Sequence, residues 1–166
     1  YGDHRDLHSF PTRRLPIYDI KVPRKMVTEG MLSEAQLEQV IYAGAAHSEM
    51  LPGLAADEPA RRKGYYIGDG TGGGKTREIA GIIADNWAQG RKKHILISKD
   101  KKLIKGARRD FDNVGMKGVQ IEDLGKTKAA GQIKKDYQGV QFSTYSTLGT
   151  TPKGDAKSRV EQLVDW

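Results

Sequence analysis

The 166-residue sequence contains no cysteine, which leaves no disulfide framework, no thiolate metal site and no cysteine nucleophile. No apolar run approaches the roughly 20 residues that a membrane-spanning helix requires. The opening YGDHRDLHSF is no secretory signal. The four histidines, His4, His8, His47 and His94, show no metal-ligand spacing. These absences point to a soluble, cytoplasmic protein (nuclear if eukaryotic) with no membrane partner. The length suits one domain with a proper core. A tyrosine at position 1 in place of methionine fits a piece of a longer chain.

What the sequence has is glycine, concentrated in one place. Gly68 to Thr76 reads GDGTGGGKT, led into by the apolar Tyr65-Tyr66-Ile67 and followed by a helical pattern. A strand, a glycine-rich turn and a helix opening on Lys-Thr describe a phosphate-binding loop. Glycines let successive backbone N–H groups point inward with no Cβ blocking the approach of phosphate oxygens. The helix N-terminus adds a positive field. Gly70, Thr71, Gly72, Gly73, Gly74, Lys75, Thr76 and Arg77 are therefore the candidate ATP-binding residues. Lys75 is placed to reach the β- and γ-phosphates, and the Thr76 hydroxyl to coordinate Mg²⁺.

Two other readings compete. Gly68, Gly70 and Gly73 fit a G-x-G-x-x-G dinucleotide fingerprint, but the acid it needs about 20 residues on falls late, at Asp100. Nor does a dinucleotide site use Lys-Thr at the helix start. A merely flexible loop leaves Lys-Thr unexplained. Against the strict G-x-x-x-x-G-K-T pattern the one departure is Asp69, in the place of the first glycine.

Elsewhere, prolines punctuate residues 1–32, which read as an extended arm or linker. Residues 33–166 read as one α/β unit. Ser33 and Gln36 form a capping box ahead of a helix expected over Glu34–Ser48. Residues 52–59 are expected as a loop. Ile79, Ile82, Ile83 and Trp87 make an apolar helix stripe stopped by Gly90. His94–Ser98 reads as a strand buried on both faces. A basic helix over 101–113 is expected to bury Leu103, Ile104, Ala107 and Phe111. Further strands fall at 119–121 and 140–144, and a last helix over 155–166 carries Val160, Leu163 and Val164 on one side. Strands alternating with helices predict a parallel sheet with helices on both faces.

The net charge of +7 is uneven: Arg91 to Lys135 holds fourteen Lys or Arg against five acids. Such a surface attracts polyphosphate, most often nucleic acid, although lysine-rich helix faces are also commonly just solvated.

The run from Gly64 to Ile83, with Leu32–Val40 upstream and Gly90-Arg91-Lys92 downstream, closely resembles the strawberry notch family of superfamily-two helicase-like ATPases. Thr76 departs from the glycine that members often carry. The resemblance implies the front part of a first RecA-like lobe, with a second lobe as its partner in the parent chain and nucleic acid, DNA ahead of RNA, as substrate. It implies that Gln36 reads the adenine edge, a task its amide suits and with which helix capping competes. It implies that Ser98, Lys99, Thr144 and Tyr145 touch the nucleic-acid backbone, where strand-end capping is the plainer account.

Hydrolysis needs a strand ending in Asp-Glu, and none follows Ile67; the family's motif would lie beyond Trp166. The chain alone is thus expected to bind ATP and hydrolyse it negligibly. A small kinase-like P-loop enzyme and a non-enzymatic basic nucleic-acid-binding module remain as alternatives.

Overall fold

A computed structural model describes residues 18–51, 59–127, 132–152, 154 and 156–166. Most of the expected 52–59 loop, and the arm before residue 18, lie outside them. Three strands form one parallel sheet: β1 (Lys93–Ser98), β2 (Ile121–Asp123) and β3 (Gly139–Thr144), in the order β1-β3-β2. The helices are α1 (Arg24–Thr28), α2 (Glu34–Ser48), α3 (Lys75–Ala88), α4 (Leu103–Asn113), α5 (Tyr145–Leu148) and α6 (Arg159–Asp165). This is the α/β architecture of an incomplete RecA-like P-loop fold.

Helix α2 spans the residues its sequence predicts. Ser33 accepts from the Gln36 amide, and the Gln36 side chain accepts from the Ser33 amide, so the capping box is closed on both sides. Gly90 takes a left-handed φ of 87° just past α3, a conformation that only glycine adopts without strain. The core joins Val40 of α2 to Ala80, Ile83 and Ala84 of α3, to Ile104, Ala107 and Phe111 of α4, and to Val140 and Phe142 of β3. Residues 18–32, read as part of an extended arm, contain α1 and place Met26 and Leu32 in that core.

Other expectations change too, and the strand expected at 119–121 lies at Ile121–Asp123. Residues 65–67 form no strand: none of the described strands pairs with them, and Tyr66 is 87% exposed. An apolar triplet has strand propensity, but a strand exists only where a neighbour supplies its hydrogen bonds. Two-faced burial belongs to β3, which lies between both neighbours and is buried at every position. Strand β1 lies at the edge instead, with Ile95 and Ile97 partly in solvent. Leu103 is 48% exposed although its helix is amphipathic as expected. In α6 the valines face out, and the buried residue is Gln162, which donates to the Lys157 carbonyl and accepts from Arg159.

Candidate functional site

The glycine loop delivers its residues to the start of α3 through two left-handed turns, Gly72 at φ 91° and Gly74 at φ 84°. A side chain at either position would be strained. Gly74 is the residue before the helix, and no side chain caps the first turn. The Arg77 and Glu78 amides donate to the Gly74 carbonyl, at 2.7 and 3.2 Å, while among the described residues the Lys75 and Thr76 amides have no acceptor and are free for an external one. Gly70 and Gly72 have no atom within 4 Å of where a Cβ would stand. Packing inside the chain does not explain why these positions lack side chains. At Gly72 the left-handed φ already calls for glycine, while at Gly70 an oxyanion lying against the backbone accounts for it, so the loop fits a phosphate.

Lys75 holds the loop closed on itself: its Nζ donates to the Asp69 carbonyl at 2.9 Å and the Gly70 carbonyl at 2.8 Å. Both acceptors belong to the loop, so the ammonium is already posted over the space the glycines leave. Thr76 and Arg77 follow in the first turn, both half-buried. Gln36 does two things at once. Its oxygen completes the α2 cap, while its Nε2 donates to the Gly73 carbonyl at 3.4 Å. The start of α2 is thereby joined to the loop, and Thr71 at the loop tip stays exposed.

A residue that sequence reasoning passed over lies beneath. Glu78, one turn into α3, is 1% exposed and both its carboxylate oxygens lack a hydrogen-bond donor. It faces the Asp69 carboxyl. Burial first, and then the neighbouring Asp69 carboxyl, push Glu78 up to about 7, with Lys75 pulling the other way. In the sequence, a first-turn glutamate reads only as a partner for the helix dipole, and nothing local announces its burial. Asp69, the departure from the glycine pattern, is thus the neighbour of a buried acid.

The four residues expected at nucleic acid gather at one edge of the sheet. Ser98 and Thr144 are partners in the β1–β3 register, so both strands end side by side, with Lys99 and Tyr145 immediately after them. Lys99 is exposed and Tyr145 is 68% exposed. Thr144 itself caps α5, accepting from the Thr147 amide at 3.2 Å. The acids at the end of β2 are engaged: Glu122 accepts from Gln141, while Asp123 pairs with Lys101 at 3.0 Å and caps the Gly125 amide. Among the described residues no group of three or more acids and histidines could hold a metal, and no helix is long and apolar enough to cross a membrane.

Comparison with known proteins agrees with this geometry. The family described as P-loop containing NTP hydrolase pore-1 matches residues 8–166. Protein strawberry notch of Drosophila melanogaster is 39% identical over 157 residues, covering 90% of this chain and 9% of its own length. Protein FORGETTER 1 of Arabidopsis thaliana is 39% identical over 155 residues, covering 91% of this chain and 11% of its own. Strawberry notch homolog 1 of Homo sapiens is 36% identical over 158 residues, with 90% and 11% covered. The chain thus spans about a tenth of the length of these relatives. No solved structure gives a significant match.

Proposed function

The chain belongs to the strawberry notch family of P-loop NTP hydrolases, and from that premise we propose that it is the ATP-binding portion of a nucleic-acid-dependent motor. The observation that carries the reading is the pairing of Lys75 with a loop whose Gly70 and Gly72 are left bare toward open space. The open amides at the start of α3 bind the β- and γ-phosphates. Lys75 leaves the carbonyls of Asp69 and Gly70 to meet them. Thr76 offers its hydroxyl to Mg²⁺, which when bound neutralises charge on the triphosphate. Gln36 stands beside the loop, where an amide suits the adenine edge. Ser98, Lys99, Thr144 and Tyr145 form a polar, partly aromatic rim for a phosphodiester backbone, with DNA favoured over RNA. A second RecA-like lobe completes the motor.

The test is equilibrium binding of a fluorescent ATP analogue. Lys75→Ala is expected to weaken it about tenfold or more, the scale of losing a charge-assisted contact to phosphate. Equal affinity for wild type and variant would remove the nucleotide site and leave the basic binding module. Turnover by this chain alone is proposed to be negligible, since hydrolysis needs a strand ending in Asp-Glu and the sequence after Ile67 offers none. Phosphate release measured with and without DNA checks this, and rapid turnover overturns it.

A further inference from the structure

The geometry points to a second anion site, a cleft at the C-terminal ends of α2 and α3 that takes a compact phosphate monoester. The cleft has a volume of about 280 Å³ and is lined by His47, Arg62, Arg91, Tyr18, Met50 and Asn86, among others. It stands at the end of α3 remote from Lys75. With α3 running 14 residues, the separation is about 20 Å at 1.5 Å per residue. The cleft is therefore not part of the phosphate loop.

Its side-chain charge is one-sided, set against the partial negative charge of the two helix C-termini. Among the described residues no carboxylate lines it. Arg62 has no hydrogen-bond or ion-pair partner among the described residues. Arg91 is oriented by Nε donating to Asn86 and Nη2 donating to Gln89, both at 2.6 Å, which leaves its other N–H groups available. Asp85 is buried and already accepts from Tyr18, the Lys21 amide and Gln89, and Glu49 pairs with Lys63. The field inside the cleft is readable at His47. Burial lowers its basicity first, then Arg62 and Arg91, and only after them does Asp85 act in the opposite sense.

These features select the ligand. Two guanidinium groups flanking one cleft match the oxygens of a phosphate group, which they bind through paired N–H donors. His47, poorly basic, adds a neutral imidazole that hydrogen-bonds without competing charge. The Tyr18 ring and the Met50 thioether give one apolar wall for the organic part of an ester. The volume admits a group of that size and not a duplex.

Phenyl phosphate and inorganic phosphate are the probes, titrated into the 166-residue chain carrying Lys75→Ala so that the loop does not report. Saturable shifts of the His47 imidazole resonances are expected, with phenyl phosphate binding more tightly than inorganic phosphate. Adding Arg62→Gln is expected to weaken binding about tenfold, with Arg62→Lys in between. The exposed Arg62 side chain has no partner among the described residues, so an unchanged amide spectrum verifies the fold of each variant. Unmoved His47 resonances overturn the site. So does an affinity for phenyl phosphate that Arg62→Gln leaves unchanged.

Discussion

Glu78→Gln is expected to stabilise the chain at pH 8 by about 3 kcal/mol and to change it little near pH 4.5. The sign follows from the direction of the shift. In the unfolded chain Glu78 titrates at the ordinary 4.5, and in the folded chain at about 7. Between those values the folded state holds the extra proton, so stability falls as pH rises through the interval. At about 1.4 kcal/mol per pH unit the whole loss is about 3 kcal/mol. It is complete above pH 7, where a charge must be kept in a site with no donor for either oxygen. Glutamine carries no charge, so the variant escapes the loss. Urea denaturation of both proteins at pH 5 and pH 8 measures it. A difference between them that does not change with pH would show that Glu78 is not the buried acid of the folded chain.

Gly44→Ala is the second large effect, and its sign is opposite to the usual one. Glycine inside a helix normally costs about 1 kcal/mol relative to alanine, so the substitution would ordinarily stabilise. Here the added Cβ would fall on the Tyr18 ring, coinciding with Cε1 and Cζ and lying 2.7 Å from Cδ1. The ring must move, and with it the Tyr18 hydroxyl that donates to Asp85 at 2.5 Å. Asp85 is 1% exposed, and removing a donor from a buried carboxylate costs more than the bond's own net worth. Overpacking and the lost donor together predict a destabilisation of about 3 kcal/mol. Thermal denaturation decides between the signs. A stabilised variant would mean that Tyr18 does not pack on α2. Tyr18→Phe, which keeps the ring and removes only the hydroxyl, separates the two contributions.

The elements that matched expectation share a cause. The Ser33–Gln36 box, the Gly90 stop and the glycine turn into Lys75 each depend on groups within about four residues of one another. Backbone geometry and a few neighbouring side chains decide them, whatever the rest of the chain does. The family resemblance is legible for the same reason, because it rests on the contiguous run from Gly64 to Ile83.

The mismatches share the opposite cause. Tyr65-Tyr66-Ile67 has the composition of a strand, but no described strand pairs with it. Val140–Thr144 and His94–Ser98 look equally apolar, yet only the central place of β3 between two neighbours buries both its faces. Gln162 is buried and Val164 exposed because α6 docks through side-chain hydrogen bonds that hydropathy does not register.

By itself, then, the sequence determined the phosphate loop, the helix it opens, the cap on α2 and the family. Tertiary structure alone decided that Glu78 is sealed beneath the loop against Asp69. It also set Tyr18 on Gly44, left β1 at an edge, and brought Arg62, Arg91 and His47 to one cleft. Loop, cap and turn are held by bonds between near neighbours in the chain. Burial, pairing and charge convergence are properties of residues tens of positions apart, and only packing brings those together.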